Sequence, residues 1–164
     1  MKKIIIVLVL SFFLLTNSAL AEINLYFSPF DNCEDQWVQM ILSAKKEIKI
    51  SCFGITNEKL YNALIDRKKA GVKILVCIDR LQSKSRHDLN KQLSKAGVTT
   101  VIKKITTLEH NKMIVVDDKS GIIGSYNLSV NAQGQDNSIV VFTDEPIYAS
   151  EIEAAIDRIY ERDR

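Results

Sequence analysis

Ile48-Lys49-Ile50-Ser51-Cys52-Phe53-Gly54-Ile55 and Val72-Lys73-Ile74-Leu75-Val76-Cys77-Ile78 decide how this chain folds. Both are apolar runs of strand length. The second has almost no polar interruption, as a strand buried on both faces requires. Between them Asn57 offers a helix cap, Leu60, Ala63 and Leu64 share one helical face, and Gly71 ends the helix. Two strands joined by a helix of this length form the unit that builds a parallel sheet.

Toward the N-terminus, Ile23 to Phe27 reads as a strand. Ser28-Pro29-Phe30-Asp31-Asn32 breaks it and offers caps. Trp37, Met40, Ile41 and Ala44 then fall at helical spacing between Glu34 and Lys46. Toward the C-terminus, Asp79 to Lys84 is a loop. A helix around Leu89, Leu93 and Ala96 follows, ended by Gly97, and Val98 to Ile102 is a short strand. The pattern then changes to three strands with short connections, over residues 112–116, 121–126 and 138–142. Asp144 is expected to cap a last helix that starts at Pro146, with Ile152, Ala155, Ile156, Ile159 and Tyr160 on one stripe. The expected fold is an α/β domain with a mixed, partly parallel sheet flanked by helices on both faces. Ligands in such sheets bind beyond the carboxyl ends of the parallel strands, which places the loop carrying Lys84 and Arg86 near any site.

Residues 1–21 read as a leader. Lys2 and Lys3 precede an apolar run from Ile4 to Leu15, too short to span a bilayer, and Ala19-Leu20-Ala21 has the small-x-small form of a cleavage site. The reading is a signal peptide cleaved after Ala21, a secreted or periplasmic product, no stable membrane insertion after cleavage, and one domain over residues 22–164. The alternative is an uncleaved N-terminal anchor. A hydrophobic fraction of 46% with 26% charged residues is ordinary for a globular chain, and excludes collagen, coiled-coil, multi-pass membrane and wholly disordered classes. Beyond the leader the basic and acidic residues balance, but not evenly along the chain. Residues 45–119 hold 17 basic and eight acidic side chains, a basic middle suited to a polyanion unless its lysines lie on solvated helix faces. Cys33, Cys52 and Cys77 are odd in number and match no metal-site spacing. Cys52 and Cys77, in apolar runs, read as small buried hydrophobes, so a core and not a disulfide frame should hold the fold.

The chemistry lies in Glu109-His110-Asn111-Lys112-Met113-Ile114-Val115-Val116-Asp117-Asp118 and in Gly124-Ser125-Tyr126-Asn127. Strand residues two apart share a face, so His110 and Lys112 project together, and Ser125 and Asn127 do so at the end of an antiparallel neighbour. An imidazole, an ammonium, a hydroxyl and a carboxamide suit an anionic phosphorus centre. The lysine supplies charge, the neutral groups donate to phosphoryl oxygens, and the imidazole attacks or takes a proton. A carboxylate near the second ring nitrogen would fix the tautomer, and Asp136 is the nearest downstream candidate. Asp117 has the wrong parity to join them and reads as a support that holds the turn into Gly121 or a neighbouring backbone. His110, Asp117 and Asp118 could be taken as metal ligands. They point to different faces, however, and no ligand spacing is present, so neither a metal nor another cofactor is expected.

These residues resemble the HKD signature of the phospholipase D superfamily, H-x-K-x4-D-x6-G-S/T-x-N. His110, Lys112, Asp117, Gly124, Ser125 and Asn127 fill every fixed position. Six such letters coincide by chance on the order of once in 10⁸ starts. Phe27-Ser28-Pro29, Gly54-Ile55-Thr56 and Lys69-Ala70-Gly71-Val72 extend the likeness to the small exported nuclease branch, over most of residues 25–143. The resemblance implies that His110 is a nucleophile forming a phosphohistidine, and that Lys112, Ser125 and Asn127 contact phosphate. A second motif histidine protonates the leaving oxygen in that family. Relatives carry Glu-Asn where this chain has Asp136-Asn137, a side chain one methylene shorter. The other histidine here, His87, is followed by Asp88-Leu89 and forms no second motif, so it reads as a surface residue. The partner imidazole is therefore expected from an identical chain, in a homodimer with one composite site. Nucleic acid is the expected substrate. The alternative is a phospholipid held by an apolar rim from Phe27, Phe30, Trp37 or Tyr126, side chains that equally suit a core. A third reading is a non-catalytic nucleic-acid-binding domain.

Overall fold

A computed structural model describes residues 21–105 and 107–164. The leader read at residues 1–21 thus lies, but for Ala21, outside the described residues. The chain forms seven strands, β1 (Glu22–Ser28), β2 (Glu47–Cys52), β3 (Lys73–Ile78), β4 (Thr99–Ile102), β5 (Lys112–Val116), β6 (Ser120–Gly124) and β7 (Asn137–Thr143). The helices are α1 (Cys33–Ser43), α2 (Glu58–Lys69), α3 (Asn90–Lys95) and α4 (Pro146–Asp163). All seven strands make one sheet in the order β1-β7-β6-β5-β2-β3-β4. The β2, β3 and β4 pairings are parallel, and every pairing from β2 through β5, β6 and β7 to β1 is antiparallel. The sheet is thus mixed, as the change of pattern after residue 102 requires.

Strand parity sorts the core into two layers. Ile48, Ile50, Ile74, Val76, Ile114 and Val116 pack with α1 and α2 on one face. Met113, Val115, Cys77 and Phe142 pack with α4 on the other. Helices therefore cover both faces. Local chemistry sets their ends. The Asn57 side chain accepts from the N–H groups of Lys59 (2.9 Å) and Leu60 (3.3 Å), and that of Asn32 accepts from Asp35 (3.1 Å). Gly71 turns the chain out of α2 at φ +90°, a conformation that costs an L side chain about 1 kcal/mol or more.

The expected start of α4 needs correction. Glu145, and not Asp144, occupies the cap position, with Pro146 following as the first helical residue. Asp144 is drawn away because it adopts φ +53°, pairs with Lys119, and donates its N–H to Ser120 Oγ at 3.2 Å. Strand β6 is also shorter than its apolar pattern suggests. It ends at Gly124, so Ser125 to Asn127 lie beyond the ladder. All three cysteines are free and buried. Among the aromatic rim candidates, Trp37 and Tyr126 are fully buried in the core, while Phe27 is 49% and Phe30 90% exposed.

Candidate active site

The topology brings one set of strand ends to one edge. The carboxyl ends of β2, β3 and β4 lie beside the start of the antiparallel β5, and the end of β6 lies beside the start of β7. His110 and Lys112, Ser125 and Asn127, Asp136 and Asn137, and the segment after β3 therefore share this edge. Arg86 and His87 line a groove of about 830 Å³ there, together with Thr56, Asn57 and Asn131. His87 is exposed, and its Nε2 accepts from Arg86 Nε at 3.0 Å.

Lys112 is buried (4% exposed) opposite Cys52, on the α1–α2 side of the sheet. Its Nζ donates to the backbone oxygen of His110 at 2.6 Å. Burial lowers its pKa below the usual lysine value, and the nearby Cys52 and Glu109 oppose that shift. The ammonium is therefore partly desolvated, where its attraction for an anion is strengthened. His110 itself is exposed. Its ring meets Phe53 edge to face, with centroids 5.7 Å apart at 67°. This contact restrains the imidazole without consuming either nitrogen.

Ser125 and Asn127 owe their positions to closely packed neighbours. At Gly124 a Cβ would come within 2.2 Å of the Ser138 carbonyl oxygen, so only glycine lets β6 approach β7 this closely. Tyr126 and Leu128 are buried on either side of Asn127, and the Leu128 oxygen accepts from Thr56 (3.0 Å) and Asn57 (3.3 Å). Asn127 Oδ1 is buried with no hydrogen-bond partner among the described residues. Ser125 leans toward β7, where its Oγ donates to Asn137 Oδ1 (3.2 Å) and accepts from Ser138 N–H (3.0 Å). The four motif side chains thus line one edge, with His110 and Lys112 rooted in β5 and Ser125 turned to β7.

Asp136 is exposed and lines a shallow pocket of about 390 Å³ with Phe27, Phe30 and Ser125. Among the described residues no hydrogen bond joins it to His110. Asp117 stands at the far end of β5, about 23 Å from His110 at strand rise over seven residues. Its carboxylate accepts from the N–H groups of Lys45 (2.8 Å), Lys46 (2.8 Å) and Glu47 (2.9 Å). Those three bonds hold its pKa below the usual carboxylate value, against the opposing effect of partial burial. It braces the loop before β2 and does not face His110. Asp118 likewise lies at that far edge, within 4.8 Å of Glu47 and Glu153, a grouping that excludes His110.

Sequence reasoning missed Glu109, Lys103, Asp79 and Ser51, which are buried beneath His110. The signal it had was a charged residue, Glu109, next to the motif histidine. Its partners are 58, 30 and six residues away in sequence, and only the sheet brings them together.

A mixed seven-stranded sheet with H-x-K entering its central strand defines the class, a phospholipase D-like α/β domain. The chain belongs to this family: residues 37–160 match the family described as cardiolipin synthase, PLD-like domain. Its members are phosphodiesterase hydrolases. The chain is 25% identical over 136 residues to a phospholipase D of Rickettsia prowazekii, covering 83% of this chain and 66% of that protein. It thus spans about two thirds of that relative's length. Its fold is similar to that of Nuc from Salmonella typhimurium, with a TM-score of 0.83 at 22% identity, over 88% of this chain and 97% of Nuc. NucT from Helicobacter pylori gives 0.79 at 17% identity, over 88% and 98%.

Proposed function

We propose that this protein is an exported, metal-independent phosphodiesterase that cleaves DNA or RNA with little sequence preference. The observation that carries the reading is an exposed imidazole placed two residues before a buried, partly desolvated ammonium, at the edge where the parallel strands of the mixed sheet end. His110 attacks phosphorus, the P–N bond forms as the P–O bond to the leaving group breaks, and water then hydrolyses the phosphohistidine. Lys112 neutralises charge on the phosphoryl oxygens, and Asn127 and Ser125 donate to them. Asp136 takes the place of the orienting carboxylate when the site is complete.

The leaving oxygen needs a proton from a second imidazole, supplied by His110 of an identical chain across a two-fold axis. An apolar strip supports this pairing. Ile23, Leu25 and Phe27 of β1 are 47%, 61% and 49% exposed, Ile123 of β6 is 42% exposed, and the strip reaches the edge that carries Ser125. The basic segment 45–119 favours a nucleic acid, held through its phosphates.

A phospholipase D acting on phosphatidyl headgroups is the second reading. It draws on the rickettsial relative's name and on exposed Phe27 and Phe30 beside Ser125. The test incubates the purified protein with plasmid DNA, RNA and phosphatidylcholine vesicles in excess EDTA, with His110→Asn as control. Nucleic acid cleavage that vanishes in the variant supports the first reading. Choline release without nicking transfers the assignment to the second, and an unchanged His110→Asn protein rejects both. Sedimentation showing a fully active monomer rejects the composite site.

A further inference from the structure

His110 lies in the connection between β4 and β5; Lys103, at its start, still donates its N–H to the Ile78 oxygen of β3 at 2.9 Å, and residues 108–110 lie outside the ladder. Backbone groups outside a ladder must find other partners when buried. Here three successive residues are each gripped by a buried side chain. Lys103 Nζ donates to the Leu108 oxygen at 2.8 Å, the Glu109 N–H donates to Asp79 Oδ2 at 2.8 Å, and Lys112 Nζ donates to the His110 oxygen at 2.6 Å. The gripping residues are themselves locked. Glu109 Oε1 accepts from Ser51 Oγ (2.9 Å) and Asn111 Nδ2 (2.6 Å), and Glu109 Oε2 stands 3.7 Å from Lys103 Nζ. Asp79 Oδ1 also accepts from the N–H groups of Leu81 (2.7 Å) and Gln82 (3.3 Å). Asp79 and Glu109 are each 2% exposed, Lys112 4% and Lys103 6%.

Two carboxylates and two ammonium groups are thus buried together beneath one residue. Apolar side chains of similar volume hold a loop at lower desolvation cost, whereas an ionic set fixes direction as well as proximity. By contrast, among the described residues the imidazole of His110 has no hydrogen-bonded carboxylate and touches the edge of Phe53.

We propose that Glu109, Asp79 and Lys103 are positioning residues that aim His110 through its backbone, independently of any carboxylate that orients its ring. This rests on the reading of His110 as the nucleophile, and it adds a set of residues that reading does not need. Loss of any one lets the 108–110 backbone drift, and a misplacement of about 1 Å costs on the order of a hundredfold in rate.

The test uses the full chain with bis(4-nitrophenyl) phosphate as the probe. It compares Glu109→Gln, Asp79→Asn and Lys103→Met, with Ser51→Ala and Asn111→Ala as milder variants that each remove one neutral donor to Glu109. The charge variants are expected to lower kcat about ten- to hundredfold. KM should stay within about twofold, and single-turnover formation of the phosphohistidine should slow by the same factor. The milder variants are expected to lose about three- to tenfold in kcat. A purely structural role instead predicts activity that tracks the folded fraction and returns on cooling. Should the charge variants not fold, the two milder ones decide. Full kcat in folded variants, with His110→Asn inactive, overturns the positioning claim alone. An active His110→Asn overturns the reading beneath it.

Discussion

Replacing Asp117 by Asn separates bracing from chemistry. Asp117 adopts φ +52°, which Asn tolerates, so the backbone need not change. Oδ1 accepts from Lys46 and Glu47, and a carbonyl oxygen can still do so. Oδ2 accepts from Lys45, and the amide NH2 that replaces it cannot. The substitution therefore removes one charge-assisted bond outright and weakens two. A hydrogen bond to a charged group contributes about 1.5–3 kcal/mol, and water reaches the exposed Lys45 amide, so the expected loss is about 2 kcal/mol. For a domain of this size that lowers Tm by about 4–8 °C. The pH dependence has a definite sign. Asp117 has a folded pKa below its unfolded one, so its contribution is fully present above about pH 4 and disappears as pH falls through the depressed folded value. Wild type and variant should therefore differ in urea midpoint at pH 7 and converge in strong acid. Turnover per folded molecule should be unchanged, because the carboxylate stands at the opposite end of β5 from His110. A folded Asp117→Asn protein with normal stability and greatly reduced turnover would refute the assignment.

Gly124→Ala places a methyl against the Ser138 oxygen and the Ile139 Cα, and is expected to cost at least about 2 kcal/mol in urea unfolding, with activity lost as Ser125 shifts. Lys49 bonds Glu153 (2.6 Å) and Asp157 (2.9 Å) across to α4, and the two carboxylates hold its pKa above the usual lysine value. Lys49→Met leaves both carboxylates unpaired and should destabilise by about 2 kcal/mol, less than for a fully buried pair because Asp157 is 44% exposed. Burial pushes the Cys77 thiol up to about 12 and that of Cys52 well above its usual value. Thiol titration with a disulfide reagent at pH 8 should thus find all three cysteines unreactive until the protein is unfolded. Leu25→Asp, on the exposed apolar strip, should leave the monomer fold intact and shift sedimentation toward a single chain with reduced activity.

Periodicity and caps are local properties, and they made much of the fold legible. The apolar run at 72–78, the caps Asn32 and Asn57, and the turn at Gly71 follow from spacing and backbone preference within a few residues. The motif was legible for the same reason, since H-x-K and G-S-x-N are short patterns at the ends of two adjacent strands. The seven-residue step from His110 to Asp117 also places the two at opposite ends of β5, a separation that follows from strand rise alone. Asp144 was misassigned as a cap because two distant groups, Lys119 and Ser120, compete for it. Trp37 and Phe30 look alike as aromatic residues in an amphipathic region, yet one is fully buried and the other 90% exposed. Phe30 lies in the turn between β1 and α1, whereas Trp37 is carried on the face of α1 that packs into the core.

The sequence by itself determined most of the elements, their faces and the chemical identity of the candidate site groups, because those depend on residues close along the chain. Only the tertiary structure decided what holds His110 in place. Ser51, Asp79 and Lys103 come from the ends of β2, β3 and β4, and their meeting with Glu109 is set by strand order and register, which exist only once the sheet is assembled.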